Sequence, residues 1–466
     1  MIHQTYPRRE IRPVEIFNQG TLDLATAHLL SWQQGPGTFG GLYLHACWGI
    51  SGVLQNRYQG PTTFPIRAIM GGFMKLFDQT GEIRWRTLAD DCVSELLYLQ
   101  APEGGFRHAD AQYEPAYSCR QTCPIHQGLP MLALLEYAVW PSADPRRVQL
   151  IRPALDAHWE WFERTWWKQR NSWLQPLPFA GFCGVTNQDL VIVAALARYA
   201  TVYGDSSRYE KFGRSTLEVY LSPRYYHEKL GMFERGDEAN FVERTTYNEV
   251  IVPMLEIIQQ TMPDPRLPAV IDNVCAHLFD AIQPGPDGQM HLAWGASTDP
   301  VDKSAVTGWI ARPHGVYSYP LMLQIMGSYL KRKPDAARQA QFDALEQTAA
   351  SYVLADGSLP VSIGATDALF TTSPYVLILW AYLIDRLGSK VKSPAEVKLP
   401  TIHRTCGNVT WKSDARHWAL CRDGRREFAG LRAQSCGIVI GPEETLAGAN
   451  FAGLDDVEIN EVIGVD

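Results

Sequence analysis

The chain has 466 residues, 46% apolar and 20% charged, which is the composition of a globular protein large enough to bury a sizeable core. Its formal net charge is −8 and it has no Lys- or Arg-rich tract, which argues against nucleic acid as the main partner. No stretch approaches the roughly 18 uninterrupted apolar residues of a transmembrane helix, and no signal-peptide h-region is visible. We therefore expect no membrane partner and a cytoplasmic protein, or a secreted or periplasmic one if a leader was removed.

Cysteines and aromatic residues give two further indications. The nine cysteines are scattered along the chain, so most should be reduced and buried. Cys119 and Cys123 form a CxxxC pair in a loop, for which a structural role, a disulfide and a metal site all stay open. We expect no cofactor, although a structural divalent metal is compatible with the sequence. The 14 Trp and 20 Tyr residues suit stacking on sugar rings, and equally the core of a large helical protein.

In chain order, strongly apolar helices alternate with amphipathic ones at intervals of roughly 50 to 65 residues. The apolar members are predicted to begin near Phe64, Gln127, Asn187, Tyr247, His314 and Ser373. Amphipathic partners follow five of them, after turns rich in Gly, Asp and Pro. Helices between Thr21 and Gln55 are expected to supply the sixth partner.

This alternation predicts a mainly α fold, an (α/α)6 toroid of inner and outer helices, because helices that are apolar all round should be buried. An open α-solenoid built from the same hairpins is the structural alternative. We place the toroid domain at 1–396. The remaining 397–466 alternates short β-branched runs with turns, and is predicted to be a small β-sheet appendage, with a truncated β-domain as the alternative.

In such a toroid the inner helices run parallel, so the polar residues that precede their apolar runs should line one shared mouth. The candidate catalytic residues at these positions are His126, Asn187, Asp189, Tyr247, Asn248, Glu249, His314 and Tyr317. The candidate substrate-binding residues are Arg67, His108, Tyr113, Tyr117, Gln127, Gln188, Arg244, His291, Trp294, Arg312 and Tyr375. Asp189 and Glu249 could instead be ordinary first-turn acids, whereas His and Tyr have no capping preference.

The helix N-termini would make this mouth electropositive, which suits an anionic group such as a uronate carboxylate. The helical region, roughly 20–395, with its trailing β-segment resembles the toroid-fold polysaccharide lyases of the heparinase II/III-like and alginate or chondroitin lyase families. The resemblance implies an Asn, a His and a Tyr at the mouth. Asn248 or Asn187, His314 or His126, and Tyr317 or Tyr247 would match these. The β-part here is far shorter than in those families, and no family signature occurs at fixed spacing.

The leading functional hypothesis is β-elimination on an acidic, uronate-containing poly- or oligosaccharide. An amide would stabilise the developing carboxylate charge, while His and Tyr would move the protons. Glycoside hydrolysis with Asp189 and Glu249 as the carboxylate pair is the main alternative. Epimerase-like chemistry with two His, and a non-catalytic carbohydrate-binding repeat protein, also stay open. Nucleotide-binding and GxSxG serine-hydrolase motifs are absent from the sequence.

Overall fold

The structure is a computed structural model. It describes residues 12–31, 33–36, 38–39, 45–48, 54–57, 63–107, 124–172, 175–234, 247–285, 288–293, 295–298, 306–310, 318–359, 374–406, 409–413, 417–422 and 425–431. The helices are α1 (Pro13–Ile16), α2 (Gln19–Leu30), α3 (Thr63–Thr80), α4 (Ile83–Tyr98), α5 (Pro124–Ala138), α6 (Pro145–Trp166), α7 (Thr186–Tyr203), α8 (Arg214–Tyr220), α9 (Asn248–Thr261), α10 (Leu267–Asp280), α11 (Tyr319–Arg332), α12 (Ala336–Ser351) and α13 (Pro374–Leu387). A π-helical turn, Tyr209–Gly213, runs directly into α8.

Short antiparallel strands occur between the helices. They are β1 (Gln33–Gly35), β2 (Thr38–Phe39), β3 (His45–Trp48), β4 (Leu54–Arg57), β5 (Lys168–Ser172), β6 (Gln175–Gly181), β7 (Tyr226–His227), β8 (Met232–Phe233), β9 (Ile282–Pro284), β10 (Met290–Leu292), β11 (Gly295–Thr298), β12 (Val306–Ile310), β13 (Ile402–Cys406), β14 (Val409–Ser413), β15 (His417–Arg422) and β16 (Arg425–Leu431). Twelve of these strands pair as two-stranded hairpins, and β13 to β16 form a four-stranded meander.

The chain divides into two compact units. The first comprises 1–92, 108–118 and 349–466, and the second comprises 93–107 and 119–348. The meander β13 to β16 lies in the region where the sequence predicts β-structure. The domain boundary at 396/397 is not one of the boundaries between the two units, and it stays a prediction.

In the first unit, α2, α3 and α13 pack together. The ring of Trp380 in α13 lies directly against Gly72 in α3, where any side chain would overlap it. The indole Nε1 of Trp380 donates a hydrogen bond of 3.0 Å to Thr26 Oγ1 in α2. These contacts bury the apolar faces of all three helices in one core.

Helix α2 is a single outer helix, and the described residues between Ser31 and Arg57 form no further helix. Ser31 terminates α2, and four strands follow between Gln33 and Arg57. This segment carries Gly and aromatic residues without helical periodicity, so the prediction of helices there was wrong.

Helix α2 nevertheless takes the position of an outer partner. Gly104 follows the outer helix α4 with a φ of 111° and lies against the backbone of Ala157 in α6. Gly357 follows α12 with a φ of 72° and lies in the same way against the backbone of Ala25 in α2. At both positions a side chain would be strained and would meet backbone, so each glycine permits a turn to pack on an outer helix. The repeated contact makes α2 equivalent to α6.

In the second unit the apolar helices α5, α7, α9 and α11 form a series in which α5 packs on α7, α7 on α9, and α9 on α11. Every residue from Leu190 to Ala197 in α7 is buried, which is the all-round burial predicted for an inner helix. None of the helices among the described residues is long and apolar enough to cross a membrane.

Candidate active site at the starts of three inner helices

Polar residues occupy the first turns of three neighbouring helices of the second unit. We call this set the rim, and it comprises His126 in α5, Asn187 and Gln188 in α7, and Asn248 and Glu249 in α9. All five were predicted as site residues from the sequence.

The three helices run parallel, so the rim residues stand at one end. Gly128 in the second turn of α5 lies against Val191 and Ile192 in the second turn of α7. At the other end, Thr201 Oγ1 in α7 donates to Thr261 O, the last residue of α9, at 3.4 Å. Their N-terminal ends therefore coincide, and the three macrodipoles favour negative charge or hydrogen-bond acceptors there.

The carboxyl group of Asp189 in α7 supports the loop that precedes its own helix. It accepts backbone N–H bonds from Phe182 (3.1 Å), Cys183 (3.0 Å) and Gly184 (3.3 Å). Tyr220 Oη at 2.9 Å and Cys183 Sγ at 3.2 Å also donate to it. The side chain is 0% exposed. Burial raises the pKa of Asp189, and the hydrogen bonds from Cys183 and Phe182 act in the opposite direction.

With five donors around it and no exposed surface, Asp189 is built as a structural carboxyl. This geometry does not fit the carboxylate pair of the hydrolase hypothesis, because the second carboxylate of such a pair must face substrate or water. The first-turn explanation of Asp189 is therefore the one that its hydrogen bonds support.

Asn187, the second residue of α7, has a different environment from Asp189. It is 6% exposed, and its Oδ1 is buried with no hydrogen-bond partner among the described residues. The preceding residue fixes its position, because Thr186 Oγ1 donates to Glu234 O at 2.5 Å. The Glu234 carboxylate in turn pairs with His227 Nε2 at 2.8 Å.

The start of α9 carries the most perturbed acid of the rim. Tyr247 occupies the N-cap position without a side-chain capping bond, and Asn248 is 6% exposed. The Oε2 atom of Glu249 is buried and has no hydrogen-bond partner among the described residues. Burial raises the pKa of Glu249 to about 8, so this carboxyl is protonated at neutral pH. A protonated carboxyl with an unoccupied oxygen is suited to proton donation.

At the start of α5, Gln127 has a structural role. Its Nε2 donates to Phe106 O at 2.8 Å, and its Oε1 accepts from Phe106 N at 2.9 Å. His158 Nε2 lies 3.0 Å from the same Oε1, and the ring of His158 stacks on Phe106. Burial lowers the pKa of His158 to about 3, so the ring is neutral and donates through Nε2. Gln127 is 0% exposed and both polar atoms of its amide are bound, so the structure supports a structural role, and its contact with substrate stays a prediction.

Another predicted binding residue, His291 in β10, is held against the start of α11. Leu292 N donates to Tyr319 Oη at 3.2 Å, and His291 Nδ1 lies 2.9 Å from the same oxygen. The structure gives the start of α11 as Tyr319, and Pro320 suits the first turn of a helix.

The remaining predicted site residues lie elsewhere. Arg67 in α3 and Tyr375 in α13 belong to the first unit. His108, Tyr113, Tyr117, Arg244, Trp294, Arg312, His314 and Tyr317 lie outside the described residues, as do Cys119 and Cys123. Cys92, Cys183 and Cys275 are free thiols. No group of three His, Cys, Asp or Glu side chains within the described ranges could hold a metal ion.

Sequence reasoning missed the supporting residues Thr186, Tyr220, His227 and Glu234. Tyr220 ends an amphipathic helix and reads as a core residue, so nothing in its pattern indicates that its hydroxyl reaches Asp189. His227 and Glu234 lie seven positions apart across the hairpin of β7 and β8.

No family model and no curated protein matches this sequence. Solved structures do match. A sugar epimerase from a ruminal bacterium has a TM-score of 0.54 at 12% identity, covering 81% of this chain and 99% of that one. A D-mannose isomerase has a TM-score of 0.54 at 10% identity, covering 82% and 99%.

An α-1,6-mannanase of Salegentibacter sp., solved with mannotetrose, has a TM-score of 0.50 at 8% identity, covering 79% and 99%. These are carbohydrate-active enzymes with the (α/α)6-toroid fold, so the predicted fold class and the architectural resemblance to toroid enzymes are confirmed. At such low identities the likeness concerns the fold alone.

Proposed function

We propose that the protein is a carbohydrate-active enzyme that cleaves a uronate-containing saccharide by β-elimination at the rim. The observation that carries this proposal is Glu249, an acid with a pKa of about 8 and a buried, unpartnered oxygen. It follows Asn248 in the first turn of α9, and Asn187 lies in the first turn of the neighbouring parallel helix α7.

Each group has a role in this proposal. The amide of Asn248 donates to the uronate carboxylate and stabilises the charge that develops when the neighbouring C5 proton leaves. A base abstracts that proton, the bond from C4 to the glycosidic oxygen breaks, and a C4–C5 double bond forms. The carboxyl of Glu249 gives its proton to the departing oxygen. His126, Tyr247, His314 and Tyr317 are the candidates for the base.

Electrostatics favour an acidic substrate at this position. Three helix N-termini converge on it, and Glu249 in its neutral form adds no negative charge that would repel a carboxylate. The hydrolase hypothesis is less well supported, because Asp189, its second carboxylate, is occupied by five donors.

Epimerisation or isomerisation of a free sugar is a second candidate. It is favoured by the fold comparison, since a sugar epimerase and a mannose isomerase both match over at least 81% of this chain. Such a reaction would also begin with proton abstraction next to a carbonyl group, and it would use Glu249 as a neutral donor to that oxygen.

One panel experiment separates these reactions. The protein is incubated with alginate, polygalacturonate, hyaluronan, chondroitin sulfate, heparin, a neutral mannan and free mannose. Ultraviolet absorbance of an unsaturated uronyl product supports β-elimination. New reducing ends without that absorbance indicate hydrolysis, and a changed free sugar without either signal indicates isomerisation. Absence of all three signals would contradict an enzymatic role. Glu249→Gln protein is the matched control.

A further inference from the structure

The neighbouring helices α7 and α9 each present one buried side-chain oxygen that has no hydrogen-bond partner among the described residues. The two oxygens are Oδ1 of Asn187 in α7 and Oε2 of Glu249 in α9. Native proteins leave few such atoms unpaired, because each costs about 1–3 kcal/mol. The pair therefore indicates that a ligand completes these hydrogen bonds.

The two atoms lie at a similar level along the helices. The contact between Thr201 and Thr261 aligns the last turns of α7 and α9, and these residues lie fourteen and thirteen positions after Asn187 and Asn248 respectively. Thr201 and Thr261 are 60 positions apart in the sequence, and Asn187 with the same offset corresponds to Tyr247. Asn187 therefore lies opposite Tyr247 and Asn248, and Glu249 lies one to two residues further along α9. The first turns of α7 and α9 therefore stand at the same level.

The types of atom restrict what the ligand can be. The Asn187 amide accepts at Oδ1 and donates at Nδ2, so a ligand group that both donates and accepts satisfies it in either orientation. A carboxylate, sulfate or phosphate in its ionised form has acceptors alone and would meet Oδ1 with like partial charge. A hydroxyl group donates one hydrogen bond and accepts two, so it can satisfy Asn187 and also accept from a protonated carboxyl.

We propose that Asn187 is a specificity-determining residue that accepts a hydrogen bond from a sugar hydroxyl, while the charged part of the substrate binds elsewhere on the rim. This inference rests on the proposed function and deepens it. It separates the two amides of neighbouring helices: Asn187 recognises a hydroxyl, and Asn248 is left to bind the carboxylate.

Binding measurements with two kinds of probe test this separation. Sodium D-glucuronate, D-galacturonate and D-mannuronate carry a carboxylate and hydroxyls, whereas cyclohexanecarboxylate carries the carboxylate on a ring without hydroxyls. Kd is obtained from saturation-transfer NMR titrations with wild type, Asn187→Leu and Asn248→Leu. Asn187 and Asn248 are equally exposed, at 6%, which makes the two variants matched controls.

Asn187→Leu should weaken the best-bound uronate about tenfold and leave cyclohexanecarboxylate within about twofold. Asn248→Leu should weaken both probes by the same factor. Equal losses for both probes in Asn187→Leu, or no loss for either, would overturn the inference. Thermal unfolding shows whether each variant keeps its fold.

A measurement on the wild type alone covers the case in which Asn187→Leu does not fold. Among the monodeoxy analogues of the best-bound uronate, at least one should bind about tenfold more weakly than the parent sugar. If every analogue binds within about twofold, no hydroxyl is recognised and the inference fails while the proposed function stands. If the folded wild type binds no uronate and cleaves none of the polysaccharides, the proposed function fails, and this inference with it.

Discussion

The starts of α7 and α9 carry a carboxyl group in nearly the same place and use it in opposite ways. Asp189 is the fourth residue of α7 and Glu249 the second residue of α9, and both are first-turn acids of adjacent parallel helices. Five donors surround Asp189, whereas Glu249 has an oxygen with no partner among the described residues. The difference separates a carboxyl that holds the backbone from one that is available for chemistry.

The local cause lies in the segments that precede the two helices. Before α7, residues 182–184 turn so that three consecutive N–H groups point at Asp189, with Gly184 at a φ of 82°. Tyr220 reaches the same carboxyl from α8. Glu249 follows Tyr247, which makes no side-chain capping bond. First-turn acids on equivalent helices are therefore not interchangeable.

The largest expected effect comes from removing the acid of Glu249. Glu249→Gln should lower kcat/KM on the substrate found in the panel by about 10²- to 10⁴-fold, because a positioned general acid contributes that much. Relative to wild type, the stability of Glu249→Gln should be similar near pH 5 and higher at neutral pH, because the amide does not ionise in the unfolded chain. Steady-state kinetics and urea unfolding measure the two quantities. Wild-type turnover in Glu249→Gln would remove Glu249 from the mechanism.

The reverse pattern is expected for the other carboxyl. Asp189→Asn should lower the free energy of unfolding by about 2–4 kcal/mol, because an amide group would face backbone donors in a buried site. Glu160→Gln on the exposed face of α6 serves as the control and should change it by less than about 0.5 kcal/mol. A stable Asp189→Asn protein that has lost its activity would contradict the structural role and restore the hydrolase pair.

Titration distinguishes the two positions in a third way. The pKa of Glu249 is raised from 4.5 to about 8, so the folded protein binds a proton that the unfolded chain releases between these values. Its stabilising contribution is complete below pH 4.5 and is lost as pH rises to about 8, with a slope of at most about 1.4 kcal/mol per pH unit. The proton-donating activity should decline above about pH 8.

The measurement is the difference between wild type and Glu249→Gln in urea unfolding from pH 5 to pH 9. Burial also raises the pKa of Asp189, and taking the difference removes that shared contribution. A difference that does not vary with pH would show that Glu249 ionises normally. The alkaline limb of the kcat/KM profile in the wild type should agree with the unfolding data.

The sequence predicts that Asp189 and Glu249 lie near the starts of neighbouring inner helices. It does not predict which of the two carboxyl groups is bound by hydrogen-bond donors. Apolar periodicity located the inner helices α5, α7 and α9 to within a few residues, because burial on all sides leaves a plain pattern. The same pattern placed Asn187, Asn248 and Glu249 at one end of a parallel set.

The functions of these polar residues depend on contacts that are distant in sequence. Gln127 is bound by Phe106, which lies 21 residues away, and Asp189 by Tyr220, 31 residues away. Neither distance is a helical or strand period, so no periodicity indicates which polar residue supports the backbone. The start of α11 was misplaced for a local reason, since Pro320 sits inside an apolar run and defines its first turn.

The smallest expected effect isolates one donor of the Asp189 network. Tyr220→Phe removes the hydroxyl that lies 2.9 Å from the carboxyl and keeps the ring, which is 0% exposed. Four donors remain, so the free energy of unfolding should fall by only about 1–2 kcal/mol. The same substitution at Tyr98, which is 75% exposed, should have almost no effect.

Since the network supports the segment before Asn187, kcat/KM of Tyr220→Phe should fall less than it does in Glu249→Gln. If Tyr220→Phe lost as much activity as Glu249→Gln while its stability stayed unchanged, the result would show that the two carboxyl environments act together in catalysis.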